Sequence, residues 1–281
     1  MSAPTRIALG VREDLGADCA RCFGLCCVAL AFARSADFPV DKAAGEPCVH
    51  LDDADACGIH GELRQRGFKG CTVFDCFGAG QKVSRHTFGG RSWRDDPADG
   101  ARMFQVFPIV RRLHELLWYL DGAIALTGDG DGADALRQRF DHVRALSDAS
   151  PDRLLALDVD GEYAAARPLL LAASEQARNR VTRPPRRRDG LGPGRDLSGA
   201  RLAGADLRGL TLRGSVLIGA DLSGARLSWC DLLGVDLRDA DLARADLGEA
   251  IYVTQMQVDS ARGDGATVLP PGFARPTHWT A

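Results

Sequence analysis

The sequence predicts a multidomain α+β protein: a Cys-rich, metal-bound head, an α-helical bundle, and a short four-sided β-helix with a C-terminal cap. Three observations predict it. Eight of the nine cysteines crowd between Cys19 and Cys76. Residues 101–182 place apolar side chains three and four apart, the spacing of one helix face. From Leu197 onward leucine recurs at every fifth residue, a period of neither a strand nor an α-helix, which marks a repeat architecture. The expected domains are a Cys-rich metal-binding domain over 1–100, the helical bundle over 101–182, a linker over 183–194, the β-helix over 195–254 and its cap over 255–281.

In the head, the stretch CARCFGLCC supplies Cys19, Cys22, Cys26 and Cys27. Cys48, Cys57, Cys71 and Cys76 follow, with His60 three residues after Cys57. A Cys-x2-Cys pair suits one ion, because a tight turn brings both sulfurs within the roughly 2.3 Å bonding range of zinc. Adjacent Cys26 and Cys27 are expected to point apart, serving different ions or bridging parts of one cluster. Eight thiols plus His60 complete two four-ligand sites, or one site with thiols to spare. The spacing matches neither ferredoxin run.

The N-terminus MSAPTRIALG lacks a basic region followed by an apolar run, so no export signal is expected. The most apolar stretch, FQVFPIVRRLHELLWYL, is broken by Arg111, Arg112, His114 and Glu115, whereas a membrane span needs about 20 mostly apolar residues. A cytoplasmic location is therefore expected. Disulfides seldom persist there, which turns clustered thiols toward metal: zinc first, with iron or an iron–sulfur cluster as the alternative.

In the bundle, Pro108 is expected to open a helix carrying Val110, Leu113, Leu117, Leu120 and Ile124. A second helix is expected around Leu136, Phe140, Val143 and Leu146. A third opens with Ser150 as N-cap and Pro151 in its first turn, and a fourth covers roughly 160–181 with a kink at Pro168. His114-Glu115 is followed by Leu116, Leu117 and Trp118, so it is not the zinc-protease HExxH pattern. RPPRRRDGLGPG, 183–194, reads as a solvated linker.

The five-residue beat has Leu at 197, 202, 207, 212, 217, 222, 227, 232, 237, 242 and 247, with Tyr252 in step. A small residue, usually Ala, sits two places before each centre. The exceptions Leu210, Ser215, Cys230 and Val235 form two pairs 20 residues apart, which is four beats. Four faces per coil therefore stack 200/220/240 and 205/225/245 as all-Ala columns, and share larger and smaller side chains in the other two, as close packing favours. Cys230 is then a buried filler rather than a ninth ligand.

The units ADLRG, ADLSG and ADLAR resemble the A(D/N)Lxx repeats of the pentapeptide-repeat family over about 195–254. The resemblance implies a right-handed, four-sided β-helix with Leu and the small residue inward. The following segment, IYVTQMQVDSARGDGATVLPPGFARPTHW, resembles the C-terminal cap of bacterial members. Thr254 and Gln257 have the spacing of a capping box, and a cap is required because the last coil otherwise exposes an edge able to pair with another chain. The cysteine string CxxCxxxCC, with CVHL and CGIH after it, resembles the zinc- or iron-chelating cysteine-cluster domain of bacteria over about 19–76. RGFKGCTVFDC departs from that family's usual Arg-Pro before the next Cys. The resemblance implies that the eight cysteines bind metal and names no activity.

Only Lys42, Lys69 and Lys82 are lysines among 35 basic residues, and 38 acidic residues balance them. That lacks the basic footprint of a nucleic-acid binder, so no direct nucleic-acid binding is expected. The repeat family includes DNA mimics that protect gyrase. Three coils at about 4.8 Å make a rod of ~14 Å, where B-DNA carries about eight charges. Residues 195–254 hold nine acidic and seven basic side chains, and Arg226 falls between Asp206 and Asp246 in one column, expected to neutralise both. That is too short and too nearly neutral for mimicry. Val216, Ile218, Trp229 and Leu233 are apolar at outward positions and are expected to form one interaction patch, met first by the chain's own helices. No nucleophile elbow or Walker sequence stands out. The expected function is a non-enzymatic metal-binding scaffold or protein-interaction protein with an unidentified protein partner. An iron–sulfur redox or modification protein is the alternative, and a topoisomerase modulator the second.

Overall fold

A computed structural model describes residues 15–130, 132–181 and 190–279. Its helices are α1 (Leu25–Ala29), α2 (Lys69–Thr72), α3 (Ala79–Gln81), α4 (Pro97–Thr127), α5 (Ala133–Ser147), α6 (Pro151–Leu155), α7 (Val159–Arg178) and α8 (Gln255–Ser260). Two compact units result, Met1–Asp121 with Asp134–Pro168, and Gly122–Ala133 with Leu169–Ala281. No described helix is long and apolar enough to cross a membrane.

The first unit buries Leu25, Val28, Phe77, Met103, Phe107, Val110, Leu113, Leu116 and Leu120. Pro108 does not open a helix. Pro97 does, and Pro108 lies in the interior of the 31-residue α4. An interior proline forfeits one N–H and crowds the preceding turn, a penalty of roughly 3 kcal/mol. Val106, Phe107 and Val110 around it are fully buried, and together they outweigh that local cost at roughly 1.5–3 kcal/mol each. Pro168 likewise sits within α7. Ser150 occupies the N-cap of α6 ahead of Pro151, but its side chain makes no capping bond.

The second unit is built around the coil. Parallel bridges join Asp196 to Val216, Arg201 to Asp221, Asp206 to Arg226 and Thr211 to Asp231, and the same columns continue to Asp236, Asp241, Asp246 and Ile251. Each step is 20 residues, so four five-residue faces make one turn. The recurrent Asp closes the local turn: Asp196, Asp206, Asp221, Asp231, Asp236, Asp241 and Asp246 each accept the backbone N–H two residues on. At the corner after each face the chain turns left-handed, as at Gly204 (φ 61°) and Gly224 (φ 64°), which favours glycine. Trp229, Asp239 and Arg244 take the same conformation without that freedom.

Inside, Leu207, Leu212, Leu217, Ala220, Ala225, Cys230, Ala240, Leu242, Ala245 and Leu247 are fully buried. Cys230 is thus the filler its column suggested. Arg226 donates to Asp206 at 2.8 Å but not to Asp246, which accepts from Ser228 and the Gly248 N–H instead. The expectation that one arginine neutralises both carboxylates is corrected: the neighbouring hydroxyl and amide already occupy the second.

Residues 183–189 of the expected linker lie outside the described residues. Those after them belong to the coil: Leu191 packs on its core, Gly194 N–H donates to Arg213 O, and Ser215 Oγ donates to Gly192 O. At the other end Thr254 and Gln257 form the capping box with both arms in place. The Gln257 amide also donates to Leu232 O and Val235 O, closing carbonyls of the coil below. Arg262 and Val268 then pair with the Asp241 and Asp246 columns, and Trp279 lies over Gly263, donating to Ala261 O.

Candidate metal centre

Each thiol of the head is placed by a short turn. Cys19 starts a single 3-10 turn, and Cys22 ends it with its N–H on Cys19 O. Gly24 follows at φ 63° as the N-cap of α1, which carries Cys26 and Cys27. A Cβ there would stand 2.6 Å from Leu51 Cδ1 and 3.1 Å from Asp55 O, so both backbone and space select glycine. Cys48 N–H donates to Cys27 O at 2.9 Å, and Leu51 bridges Cys57, bringing the middle cysteines to α1. His60 N–H donates to Cys57 O. Cys71 rides on α2. Cys76 precedes the left-handed pair Phe77 (φ 49°) and Gly78 (φ 76°). That turn is held from α4, where Arg111 donates to Asp75 O at 2.9 Å and the His114 ring nitrogen meets Phe77 O at 2.7 Å.

The thiols share one neighbourhood. Cys26 and Cys27 have Sγ atoms 3.9 Å apart. They do not point apart, contrary to expectation: the two thiols are within hydrogen-bonding distance. Two sulfurs on one zinc at about 2.3 Å stand about 3.8 Å apart, a spacing close to that of this pair. Cys26 is electrostatically coupled to Cys19, Cys22, Cys71 and Cys76. Cys57 is lowered to about 6, first by its hydrogen bond with Cys27, with His60 and His50 adding to the effect. Burial is the first cause that raises Cys19 to about 11, and Cys71 and Cys76 to about 12, with neighbouring thiols adding to it. Cys26 is held down, and Cys27 held up, by the hydrogen bond between them.

Backbone N–H groups are aimed at four sulfurs: Leu25, at 3.5 Å, and Gly24 on Cys22, those of Cys26 and Cys27 on Cys26, Ile59 on Cys57, and Gly80 on Cys76. Such donors favour thiolate over thiol. A Cβ on Gly80 would meet Cys22 Sγ at 2.7 Å and Cys76 Sγ at 3.8 Å, so only glycine leaves these two thiols their common space. Thiols with N–H partners are donors of the chemical kind that soft metals prefer. Among the described residues no group of three or more His, Cys, Asp or Glu side chains stands close enough together to hold a metal ion. All nine cysteines are free, and no disulfide joins them.

The sequence offered no motif for Lys42, Gly80, Ser84 or Asp75, which all border the thiols. Lys42 carried the one usable signal, a buried lysine in a chain whose other bases are almost all arginine.

In the second unit, Val216, Ile218, Trp229 and Leu233 are all half-buried. Val216 lies in the Asp196–Asp236 column, and the four spread over successive faces. The end of α7 meets the Leu212–Leu232–Tyr252 face. Ser174 donates to Asp231 at 2.6 Å, Arg213 to the same oxygen at 2.7 Å, and Tyr252 to Leu170 O at 2.9 Å. The Arg180 guanidinium stands over the Trp229 ring at 5.3 Å.

A family model for pentapeptide repeats matches residues 196–232 and 220–251, with eight copies. The protein YybG of Bacillus subtilis (strain 168) is 52% identical over 279 residues, covering 99% of this chain and 100% of that protein. Among solved structures, a pentapeptide repeat protein from the thylakoid lumen of Arabidopsis thaliana is 31% identical, over 27% of this chain and 52% of its own, with a TM-score of 0.15. HetL, a pentapeptide repeat protein involved in heterocyst differentiation regulation in the cyanobacterium Nostoc sp. strain PCC 7120, is 27% identical over 27% of this chain and 44% of its own, with a TM-score of 0.17. The chain thus spans about half the length of the solved structures it matches.

Proposed function

The chain belongs to the pentapeptide-repeat family, and we propose that it is a non-enzymatic scaffold: a metal-bound head of the cysteine-cluster type joined to a β-helix that presents a surface to a protein partner. The single observation that carries the metal reading is the Cys26–Cys27 pair, with sulfurs 3.9 Å apart. Cys19, Cys22, Cys26, Cys27, Cys48, Cys57, Cys71 and Cys76 are the proposed ligands, with His60 beside Cys57. Zinc is the metal of choice, because closed thiolate sites of this kind stabilise domains with small cores and need no redox change. When bound it supplies cross-linking, and a positive charge that holds the thiols deprotonated at neutral pH. A reducing cytoplasm suits eight free thiols at such density.

The repeat supports a protein partner over nucleic-acid mimicry. Three of its carboxylates are held by arginines: Asp206 with Arg208 and Arg226 and Asp236 with Arg238 nearer the surface, and the buried Asp231 with Arg213. With seven basic side chains against nine acidic ones over residues 195–254, the net charge is small beside that of DNA.

The test is metal content by mass spectrometry, with a visible spectrum, on protein purified without oxygen. Zinc in whole-number ratio and no colour supports the scaffold. Iron with sulfide and a broad visible absorption replaces zinc by a cluster and makes the redox reading the better one. Metal-free protein with oxidised head cysteines overturns both.

A further inference from the structure

Lys42 is one of three lysines in the chain and is 8% exposed. Its backbone pairs with Phe32 in both directions, at 3.0 and 2.8 Å, which fixes the side chain inward. The Nζ donates to three carbonyls: Val28 at 3.1 Å, Ala43 at 2.9 Å and Glu46 at 2.7 Å. Its remaining face lies 5.7 Å from the Phe32 ring centroid. All three N–H bonds are therefore satisfied, yet no carboxylate forms an ion pair with it among the described residues. The charged or titratable groups that act on it are Cys48, Cys27, the exposed Glu46 and Cys26. Val28, the first acceptor, lies on α1 directly after Cys27.

Burying a cation costs several kcal/mol unless an opposite charge is near. Three neutral carbonyls meet the hydrogen-bonding need but bring no net charge. A chain that uses arginine almost everywhere keeps at this position the compact ammonium, which alone fits a pocket of three converging carbonyls. Four thiolates around a divalent ion carry a net charge of −2, so a loaded site leaves negative charge beside Lys42.

We propose that Lys42 is the fixed counter-charge of the thiolate site, a positioning residue that stabilises the loaded, anionic form and ties it to the end of α1. The proposal rests on the metal reading above. Lys42 touches no ion; it acts through Val28 and through the field at Cys26, Cys27 and Cys48.

The experiment titrates zinc into the reduced full-length chain in competition with a chromophoric chelator, for wild type, Lys42→Gln, Lys42→Met and Lys42→Arg. Folding of each is checked by far-UV circular dichroism with and without zinc. Lys42→Gln keeps donors for the carbonyls and removes the charge, so it separates charge from packing. The expected result is zinc affinity at least about tenfold weaker in Lys42→Gln and Lys42→Met, the size of a typical outer-shell loss, with partial rescue in Lys42→Arg. Unchanged affinity in a folded Lys42→Gln, with lower thermal stability alone, overturns the proposal and leaves the metal reading standing. Failure of both neutral variants to fold even with zinc, while Lys42→Arg folds, also overturns it by assigning the residue to the loop's fold. Wild-type protein that binds neither zinc nor iron overturns both readings at once.

Discussion

At the scale of single residues, the sharpest constraint in the coil is electrostatic. Asp231 is 1% exposed, and it accepts from Ser174, Arg213 and the Leu233 N–H. Asp231→Ala leaves a largely buried guanidinium without its carboxylate and the Ser174 hydroxyl without its acceptor, and a loss of about 3–5 kcal/mol follows. Asp231→Asn keeps the shape and loses less; urea unfolding of the two variants measures the difference. A second constraint is purely conformational. Gly204 sits at φ 61° with open space where a Cβ would stand, so the methyl group of Gly204→Ala meets no atom within 4 Å. The only cost is the left-handed backbone, about 1 kcal/mol after the entropy gain in the unfolded chain is offset. A loss above ~3 kcal/mol in urea unfolding would show that contacts, not backbone, select this glycine.

At the scale of elements, the repeat was legible because each of its signals is local. Leu at every fifth position and the small residue two before it each perform one task within a five-residue turn, and the exceptions at Leu210, Ser215, Cys230 and Val235 disclosed the 20-residue coil. The capping box was legible for the same reason, since Thr254 and Gln257 are three residues apart. What spacing did not disclose is the second task of Gln257, bonding to Leu232 O and Val235 O one coil below. Gln257→Ala removes the box and strands two buried carbonyls, so a loss of about 2–4 kcal/mol is expected in unfolding followed by Trp279 fluorescence. A loss confined to a few tenths would mean that the cap closes the coil without this amide. Helix α4 was misread at Pro108 because the deciding term is tertiary: the apolar ring of Val106, Phe107 and Val110 is buried by residues distant in sequence. Pro108 itself is exposed. Pro108→Ala therefore restores an N–H and a better helix former without disturbing the core. A gain of about 1–3 kcal/mol in thermal or urea unfolding is expected, and a loss would show that the proline shapes the helix for packing.

At the scale of the whole molecule, the cysteines divide the chain chemically as its contacts divide it spatially. Cys19 to Cys76 fall in one compact unit, and Cys230 in the other. The clustering was plain in the sequence, but the mutual placement of the thiols was not, because it depends on pairings such as Cys48 with Cys27 and on the turn that α4 holds at Cys76. Cys230 is fully buried between faces of the coil, whereas the head thiols are partly exposed or border the surface. These environments predict two separable responses to chelation. On the proposed metal reading, stripping metal from the reduced protein removes a cross-link from the head and leaves Cys230 buried in the coil. Under native conditions a thiol-alkylating reagent then adds eight groups to the stripped chain, far fewer to the loaded chain, and reaches the ninth thiol only when urea melts the coil. Intact-mass spectrometry reads these numbers directly. Equal labelling before and after chelation removes the metal as the head's stabiliser, and early labelling of Cys230 shows instead that the coil itself opens when the head does.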